Sequence, residues 1–426
     1  MDGMVLNIEQ FMAQCAIQLE MVKRRVQIPL VLYALFLSAM IVDVGGAFGL
    51  KYMVFTFILI YLLINVTTNR IKIPYSFVIV ECGLFCIAPL VFLILAIAIF
   101  SVEPIAAVRE LLPFTTWLLY PLIILIRPKE RIISYFTTAL FWGALFIVVM
   151  FCAIYLFHIF GQDEIISKIN IFMYNHNLGY FGRKPYGGAF FPNIYPRWTL
   201  LLIPAAILLM MGHVRKFAVV ILGTFLTTST AAILFMLVGI LWVSFGGIWC
   251  GRISKLYMKR VMIFSFMFLI GASIIYLLGH GYLIEFIVSK LGESPSTTIR
   301  VGHINSILAL MSEDMINLLF GMGVGSSFWS VGVNQVVSNV EVSHFELMRQ
   351  FGVLYATAFF SYVLLLFVKL HQLGDENGRL LSIGLIVLFL SAGTNPLLMS
   401  PIFILMLVIS RAYITLTARE KQASAP

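Results

Sequence analysis

The sequence contains few charged residues. Asp, Glu, Lys and Arg together make up 11% of its 426 residues, whereas they make up about 25% of a typical soluble domain. Apolar residues make up 61% of the chain, and at roughly 20 apolar residues per membrane-spanning helix there is room for about ten to twelve helices. This composition excludes a large soluble domain and predicts an integral membrane protein.

Cysteine is also scarce, and its positions follow no ligand pattern. Nearly all five cysteines lie in apolar runs, and their spacing fits neither a zinc site nor a disulfide framework. They are Cys15, Cys82, Cys86, Cys152 and Cys250.

Several motifs for nucleotides, metals and hydrolysis are missing. The chain has no GxxxxGK(S/T) phosphate loop, no DxD pair for a metal-bound nucleotide sugar, no HExxH and no GxSxG. Their absence excludes an ATPase cassette and removes zinc proteolysis and nucleophile-elbow hydrolysis as first interpretations. We therefore expect neither a metal nor a cofactor, and the energy for any reaction must come from elsewhere.

Long apolar runs, bounded by charges and turn residues, predict twelve membrane-spanning helices. The predicted fold class is therefore all-α, a polytopic integral membrane protein. The spans are expected near 28–47, 50–66, 74–100, 105–126, 132–160, 197–211, 217–229, 230–250, 261–279, 344–369, 380–396 and 399–415.

The distribution of basic residues predicts the orientation of these spans. If both termini are cytoplasmic, most of the 28 Lys and Arg residues fall in cytoplasmic connections, where basic residues of short loops are retained. The net charge of +9 is then explained by topology, so nucleic acid is not an expected partner. The same topology leaves two sizeable loops on the external side, where we expect the chemistry.

These predictions divide the chain into six parts. Residues 1–27 are a cytoplasmic amphipathic segment, 28–160 hold helices one to five, 161–196 form the first external loop, 197–279 hold helices six to nine, 280–343 form the second external loop, and 344–426 hold helices ten to twelve with a cytoplasmic tail. Within the first group, the prolines and charges of 101–113 predict a broken or re-entrant helix that lines a cavity.

Arg197 begins the span after the first external loop, in the segment YPRWT (195–199). Trp and Arg favour the headgroup level of a membrane, so an interfacial anchor is one interpretation. A guanidinium at the membrane lip also presents forked donors that suit a lipid diphosphate. Both interpretations remain open for Arg197 at this point.

A helix is predicted to begin in the second external loop at Pro295, where hydroxyl residues follow the proline. Arg300 and His303 are three residues apart and would share a face near the positive end of that helix, a place suited to phosphate. A solvated arginine on an amphipathic loop helix is the alternative.

The segment EVSHFELMR (341–349) leads into the tenth predicted span. Histidine titrates near neutrality, so His344 is suited to accept a proton from a hydroxyl, with Glu341 or Glu346 assisting if within reach; a lone interfacial histidine is more often structural. Glu346 and Arg349 are three residues apart and are expected to pair, with Arg349 facing the protein interior because lipid exposure of arginine is costly.

These residues, in this order, resemble the bacterial O-antigen polymerase and O-antigen ligase superfamily of polytopic glycosyltransferases. The resemblance covers about residues 180–400. One feature departs from the family: the Thr/Ser-rich break at 226–231, between the seventh and eighth predicted spans, lacks the Ser-Arg pair often seen there. The resemblance rests on Arg197, the break at 226–231, Arg300, LFGMGVGS (319–326), SHFELMRQFGVLYA (343–356) and GTNPLLMSP (393–401).

The resemblance implies transfer of a glycan from undecaprenyl diphosphate to a hydroxyl of a lipid-linked repeat unit, on the periplasmic face of the bacterial inner membrane. Arg197 and Arg300 would bind the departing diphosphate and His344 would act on the acceptor hydroxyl, without a metal. The lipid-linked donor and acceptor and the membrane lipid are the expected partners; whether a chain-length regulator protein also binds is left open. Further candidates for substrate binding are Arg183, Arg349, Glu346, His303 and Arg109.

Two alternatives remain. An O-antigen ligase would use the same donor and residues but pass the glycan to lipid A-core; the segment NPLL (395–398) favours the polymerase. A lipid-linked oligosaccharide flippase, from another class, would line a path with Arg109, Arg183 and Arg349. A transporter is expected to place ionisable groups near the membrane midplane, whereas the candidates here collect at one lip.

Overall fold

The computed structural model describes residues 28–43, 46–68, 77–186, 189–210, 212–249 and 295–424, with isolated positions between 262 and 273. The predicted amphipathic segment 1–27 lies outside these residues. So do residues 280–294 of the second external loop and most of the predicted span 261–279.

The first half of the described chain is helical up to the first strand, which begins at Gly179. Two π-helical segments, Phe77–Glu81 and Gly83–Ile87, precede α3, and a 3-10 helix, Leu112–Leu119, joins α4 to α5. The helices are α1 Ile28–Val42, α2 Leu50–Thr67, α3 Ala88–Ala98, α4 Pro104–Leu111, α5 Tyr120–Ile123, α6 Glu130–Ile159 and α7 Asp163–Asn175.

The second half alternates helices with two short hairpins. A 3-10 turn, Thr199–Leu201, precedes α8. The elements are β1 Gly179–Tyr186, β2 Ala189–Pro196, α8 Leu202–Leu209, α9 Val214–Leu226, α10 Thr230–Trp249, α11 Pro295–Glu313, α12 Met315–Phe320, β3 Phe328–Ser330, β4 Gln335–Val337, α13 Ser343–Gln372, α14 Glu376–Ser391 and α15 Pro401–Ala423.

The protein is a mostly helical membrane protein, as the composition predicts. Five helices of the described chain are long and apolar enough to cross a membrane. The total of twelve spans stays a prediction. The five are Leu50–Thr67, Ile79–Ala98, Glu130–Ile159, Ser343–Gln372 and Pro401–Ala423.

The all-α prediction is confirmed in its coarse form, since the described chain is mostly helical; in addition, each of the two predicted external loops contains a short antiparallel hairpin. Tyr180 pairs with Tyr195 in the first hairpin, and Trp329 pairs with Val336 in the second. Loop backbone still needs hydrogen-bond partners, and aromatic and β-branched residues favour strands. The aromatic residues of the first loop thus contribute to a hairpin.

Helix α15 forms the centre of the helix bundle. Ser400 caps it by accepting a hydrogen bond from the Phe403 N–H, and Pro401 occupies its first position, where a missing N–H costs nothing. The helix is buried along most of its length and packs against α13, α14 and the 3-10 helix 112–119. In contrast, α2 exposes most of its surface, as a helix that faces lipid does.

The stretch from 104 to 123 is a broken helix, as its prolines predict. The α-helical pattern ends at Leu111, just before Pro113, because proline lacks an N–H to donate. Trp117 stacks on Phe85 with ring centroids 4.1 Å apart. An apolar cavity of about 300 Å³ lies beside this stretch, and its lining includes Leu90, Leu93, Leu111 and Leu112.

Ion pairs connect three segments at one end of the helix bundle. Lys129 precedes α6, and its Nζ lies 3.4 Å from Asp375 Oδ2 and 3.0 Å from Glu420 Oε2. Burial acts to lower the pKa of Lys129, but Glu420 and Asp375 outweigh it and raise that pKa. The start of α6, the end of α13 and the end of α15 are therefore neighbours. The predicted topology assigns all three to the cytoplasmic side.

Arg411 is a basic residue that lies in a helix and not in a connection between helices. It lies within α15, where its Nε donates to Glu81 Oε1; the two side chains are 15% and 4% exposed. Thr415 and Tyr362 complete the cluster. A guanidinium removed from water needs a carboxylate partner because an unpaired buried charge is strongly destabilising.

Candidate functional site

Helix α13 is interrupted at Gly352, which has φ 77° and ψ 169°. Only glycine adopts this conformation readily, and a Cβ there would lie 2.2 Å from the Leu319 carbonyl oxygen. The Met322 N–H donates to the Arg349 carbonyl at 2.7 Å. The start of α13 is thereby fixed against the segment LFGMGVGS (319–326).

Glu346 and Arg349 form a buried ion pair at the start of α13, as their spacing predicts. Arg349 Nη2 lies 2.6 Å from Glu346 Oε1 and Arg349 Nε lies 2.9 Å from Oε2. Arg349 also donates to Ser326 Oγ at 2.7 Å and to the Ser338 carbonyl at 3.2 Å, and its guanidinium lies 4.7 Å from the Phe328 ring centre. These contacts hold the Arg349 side chain inside the protein. The pair therefore joins α13 to the glycine segment and the second hairpin.

Helix α11 packs on the second hairpin by direct backbone contact. A Cβ on Gly302 would lie 2.3 Å from the Gly332 Cα. His303 Nδ1 is hydrogen-bonded to Ser330 Oγ. Burial lowers the pKa of His303, although Glu341 and Glu346 oppose the effect, so a neutral imidazole makes this contact near pH 7. His303 therefore holds α11 in place.

Arg300 is the sixth residue of α11, which begins at Pro295 as the sequence predicts. Its partner is Glu341, whose Oε2 accepts from Arg300 Nε at 3.0 Å and from Nη2 at 2.7 Å. The two side chains are 29% and 58% exposed. Since Glu341 lies three residues before His344, this ion pair joins Arg300 to the start of α13.

His344 is half-buried between aromatic rings. Its ring centre lies 4.7 Å from that of Phe389 and 5.6 Å from that of Phe360, both in edge-on geometry. The preceding Ser343 donates to the Asn395 carbonyl at 2.5 Å and accepts from the Leu397 N–H at 2.6 Å. These contacts fix the start of α13 on the segment between α14 and α15.

The first hairpin reaches the same segment. The Tyr195 hydroxyl donates to Asn395 Oδ1 at 3.4 Å, and burial raises the pKa of Tyr195 to about 12, so the phenol stays a donor. On the same strand, Asn193 Oδ1 accepts from Thr228 Oγ1 at 2.9 Å. Thr228 belongs to the Thr/Ser-rich break between α9 and α10. Parts of both predicted external loops therefore meet near Asn395.

Arg197 has different neighbours. Its side chain is exposed, and Nη2 donates to Asn177 Oδ1 at 2.7 Å. It lies near enough to Lys51 for the two charges to interact. No hydrogen bond or ion pair within the described part of the chain joins Arg197 to Arg300 or His344. The structure thus connects Arg300 with the His344 segment through Glu341, whereas the hydrogen-bond partner of Arg197 is Asn177.

The two remaining arginine candidates lie on other elements. Arg183 is in β1 opposite Pro192, and its side chain is outside the described part of the structure. Arg109 is exposed on α4. A Cβ on Gly325 would meet the α4 backbone at Ala107 at 2.9 Å, so α4 packs directly under the glycine segment.

Sequence reasoning missed the serines that hold this region together. Ser326 accepts from Arg349, Ser330 contacts His303, and Ser343 bridges Asn395 and Leu397. The sequence predicts that Arg349 faces the interior, and its buried donors require acceptors. Nearby serines were therefore candidates for those acceptors.

The chemistry available here is that of an exposed guanidinium and an imidazole. Among the residues that the structure describes, no three of His, Cys, Asp or Glu are placed to hold a metal ion. Arg300 can bind an anionic group, and His344 can exchange a proton with a hydroxyl group that contacts its ring.

No family model matches the chain, and a search of curated proteins finds no match either.

Proposed function

We propose that the chain is a polysaccharide repeat-unit polymerase, an enzyme that transfers a glycan from undecaprenyl diphosphate to a lipid-linked repeat unit. The observation that carries this proposal is the exposed Arg300–Glu341 pair beside the His344 segment, at the end of α13 opposite the Lys129 cluster. That end bears both hairpins, and the proposal is that a substrate arriving from one side of the membrane contacts both Arg300 and His344.

Arg300 is proposed to bind the departing diphosphate. When the bond between the donor sugar and the phosphate oxygen breaks, negative charge develops on that oxygen. A guanidinium held in place before the reaction stabilises this charge in the transition state, which lowers the barrier. The contact between α11 and the second hairpin supports this role, because it fixes the backbone that carries Arg300.

His344 is proposed to accept the proton of the acceptor hydroxyl while the acceptor oxygen forms its bond to the donor sugar. The edge-on contacts with Phe360 and Phe389 restrict the orientation of the imidazole. Ser343 contributes indirectly, because its two hydrogen bonds position the backbone next to His344.

Arg197 has a different place in this proposal from the one that the sequence predicts. Its exposed position next to Asn177 and near Lys51 fits the holding of a lipid headgroup better than action at the reacting sugar. Arg300 and His344 are therefore the proposed catalytic pair. Twelve spans, the bacterial inner membrane and a periplasmic orientation of this pair also belong to the proposal.

A flippase is the second candidate, and the Glu81–Arg411 pair favours it, because buried ionisable groups in membrane helices often mark a transport path. However, Arg411 is held by Glu81 and Thr415. These contacts give the pair a role in packing α15, so the polymerase remains the better-supported function.

Cells that lack the gene distinguish the candidates. Loss of a polymerase leaves surface glycan of single repeat units, whereas loss of a ligase leaves bare lipid A-core and accumulates lipid-linked polymer. Loss of a flippase traps repeat units on the cytoplasmic side. Single-repeat glycan that is extended again when the gene is restored is the expected result, and either other phenotype contradicts the polymerase.

A further inference from the structure

We infer that Glu341 makes Arg300 selective for a diphosphate over the phosphodiester headgroups of ordinary membrane lipids. This inference rests on the proposed function, since it concerns the ligand of the same arginine. Glu341 acts here as a specificity-determining residue that the substrate must displace, rather than as a catalytic residue.

The geometry of the pair matches that of a bound phosphate. A single carboxylate oxygen, Glu341 Oε2, accepts from two N–H groups on one edge of the Arg300 guanidinium, at 3.0 Å and 2.7 Å. The same edge of a guanidinium binds phosphate oxygens. Glu341 therefore occupies the position that the oxygen of an anionic ligand would take.

The pair is also accessible to exchange. Its side chains are 29% and 58% exposed, and exposed ion pairs contribute little to stability. The buried Glu346–Arg349 pair on α13, with side chains 1% and 0% exposed, offers no comparable opening. A ligand can therefore reach Arg300 but not Arg349.

The charge of the ligand determines whether it displaces Glu341 from Arg300. Arg300 lies at the predicted membrane lip, where phosphodiester headgroups are far more abundant than a lipid-linked substrate. A phosphodiester carries one negative charge, as Glu341 does, but Glu341 is tethered beside Arg300 and so has a high effective concentration. A diphosphate carries more than one charge and presents more oxygens, so it displaces Glu341 where a phosphodiester does not.

The exchange needs only side-chain movement. The backbone at Arg300 is fixed by the contact of Gly302 with Gly332. The backbone at Glu341 is held by the hydrogen bond from the Ser343 N–H to the Glu341 carbonyl at 3.1 Å. Once displaced, the carboxylate stays next to Arg300 and returns when the product leaves.

The test measures binding of farnesyl diphosphate to the purified full-length protein in detergent, with and without added phosphatidylglycerol. In the wild type, phosphatidylglycerol should leave the Kd for farnesyl diphosphate unchanged. In Glu341→Gln it should raise the apparent Kd by about 10-fold, which corresponds to about 1.4 kcal/mol. Glu341→Asp should restore part of the resistance, since it keeps the charge.

Glu313→Gln is the matched control, because Glu313 is an exposed carboxylate on the same helix as Arg300; it should behave as the wild type. If phosphatidylglycerol left the Kd for farnesyl diphosphate unchanged in Glu341→Gln as in the wild type, the selectivity role of Glu341 would be overturned, but not the proposed function. Farnesyl diphosphate binding that is unchanged in Arg300→Ala would overturn the proposed function as well, because the anion would then be held elsewhere. Turnover gives a second readout: the KM of Glu341→Gln should rise when phosphatidylglycerol is added to the vesicles, whereas the KM of the wild type should not.

Discussion

Arg349 and Glu346 form an ion pair that is closed to solvent on every side, with side chains 0% and 1% exposed and a shortest N–O distance of 2.6 Å. Ser326 and the Ser338 carbonyl take further donors of the same guanidinium. The pair therefore connects α13 with the glycine segment 319–326 and with the residue that follows β4, and it supports the backbone on which His344 lies.

Replacing Arg349 with Ala should lower the free energy of unfolding by about 3–5 kcal/mol, because Glu346 would remain as an unpaired buried charge. Arg349→Lys should also be destabilising, since lysine lacks the forked donors. Denaturant titration of the purified protein in detergent measures both. Lys369→Ala, an exposed change on the same helix, should stay within about 0.5 kcal/mol of the wild type. A loss below about 1 kcal/mol in Arg349→Ala would be inconsistent with a supporting role.

Gly352→Ala should destabilise the protein by at least about 1–3 kcal/mol, the cost of a strained backbone conformation. The new Cβ would also approach the Leu319 carbonyl oxygen to 2.2 Å. Gly83→Ala is the control, because a Cβ there has no neighbouring heavy atom within 4 Å and its φ is ordinary. Equal unfolding free energies for the two variants would argue against the described interruption of α13.

Stability should fall as the pH drops below about 6.5, the ordinary pKa of histidine. Burial lowers the pKa of His303 in the folded protein, so between the folded and unfolded pKa values the unfolded chain binds more protons and unfolding is favoured. Unfolding free energies measured from pH 7.5 to 5 test this. His303→Gln should reduce the slope, whereas His371→Gln, at an exposed site, should not. An unchanged slope in His303→Gln would show that another group causes it.

Ser343→Ala should lower the free energy of unfolding by about 1–3 kcal/mol, because the buried Leu397 N–H and Asn395 carbonyl lose their partner. Under the proposed function it should also slow glycan transfer, since the backbone next to His344 loses a support. Ser361→Ala, exposed on the same helix, is the comparison. Stability equal to that of the wild type would mean that water or a neighbour replaces the hydroxyl without cost.

The parts of the fold that depend on composition and local spacing could be predicted from the sequence. Apolar runs indicated the long helices, Pro295 indicated the start of α11, and the spacing of Glu346 and Arg349 indicated their buried pair. These signals are local because helical periodicity and proline chemistry act over a few residues.

Other features could not be predicted because they depend on contacts between distant segments. Nothing local to Arg197 indicates that its partner is Asn177, and nothing local to Arg300 indicates that Glu341 lies on its guanidinium edge. The buried pairing of Arg411 with Glu81 was likewise missed, because a count of basic residues treats each one as part of a loop. The hairpins were missed because short paired strands carry a weak pattern beside long apolar runs.

Glycan transfer by the purified protein measures whether Arg300 and His344 act in catalysis. The protein is placed in vesicles with an undecaprenyl-diphosphate-linked repeat unit, and chain extension is followed by gel electrophoresis. Arg300→Ala and His344→Ala should each slow extension by about 100-fold or more. The controls are Lys168→Ala, which removes an exposed cation of the predicted first loop, and His371→Ala, which removes an exposed histidine of the helix that carries His344; both should extend normally. Wild-type extension by folded Arg300→Ala or His344→Ala protein would contradict the account.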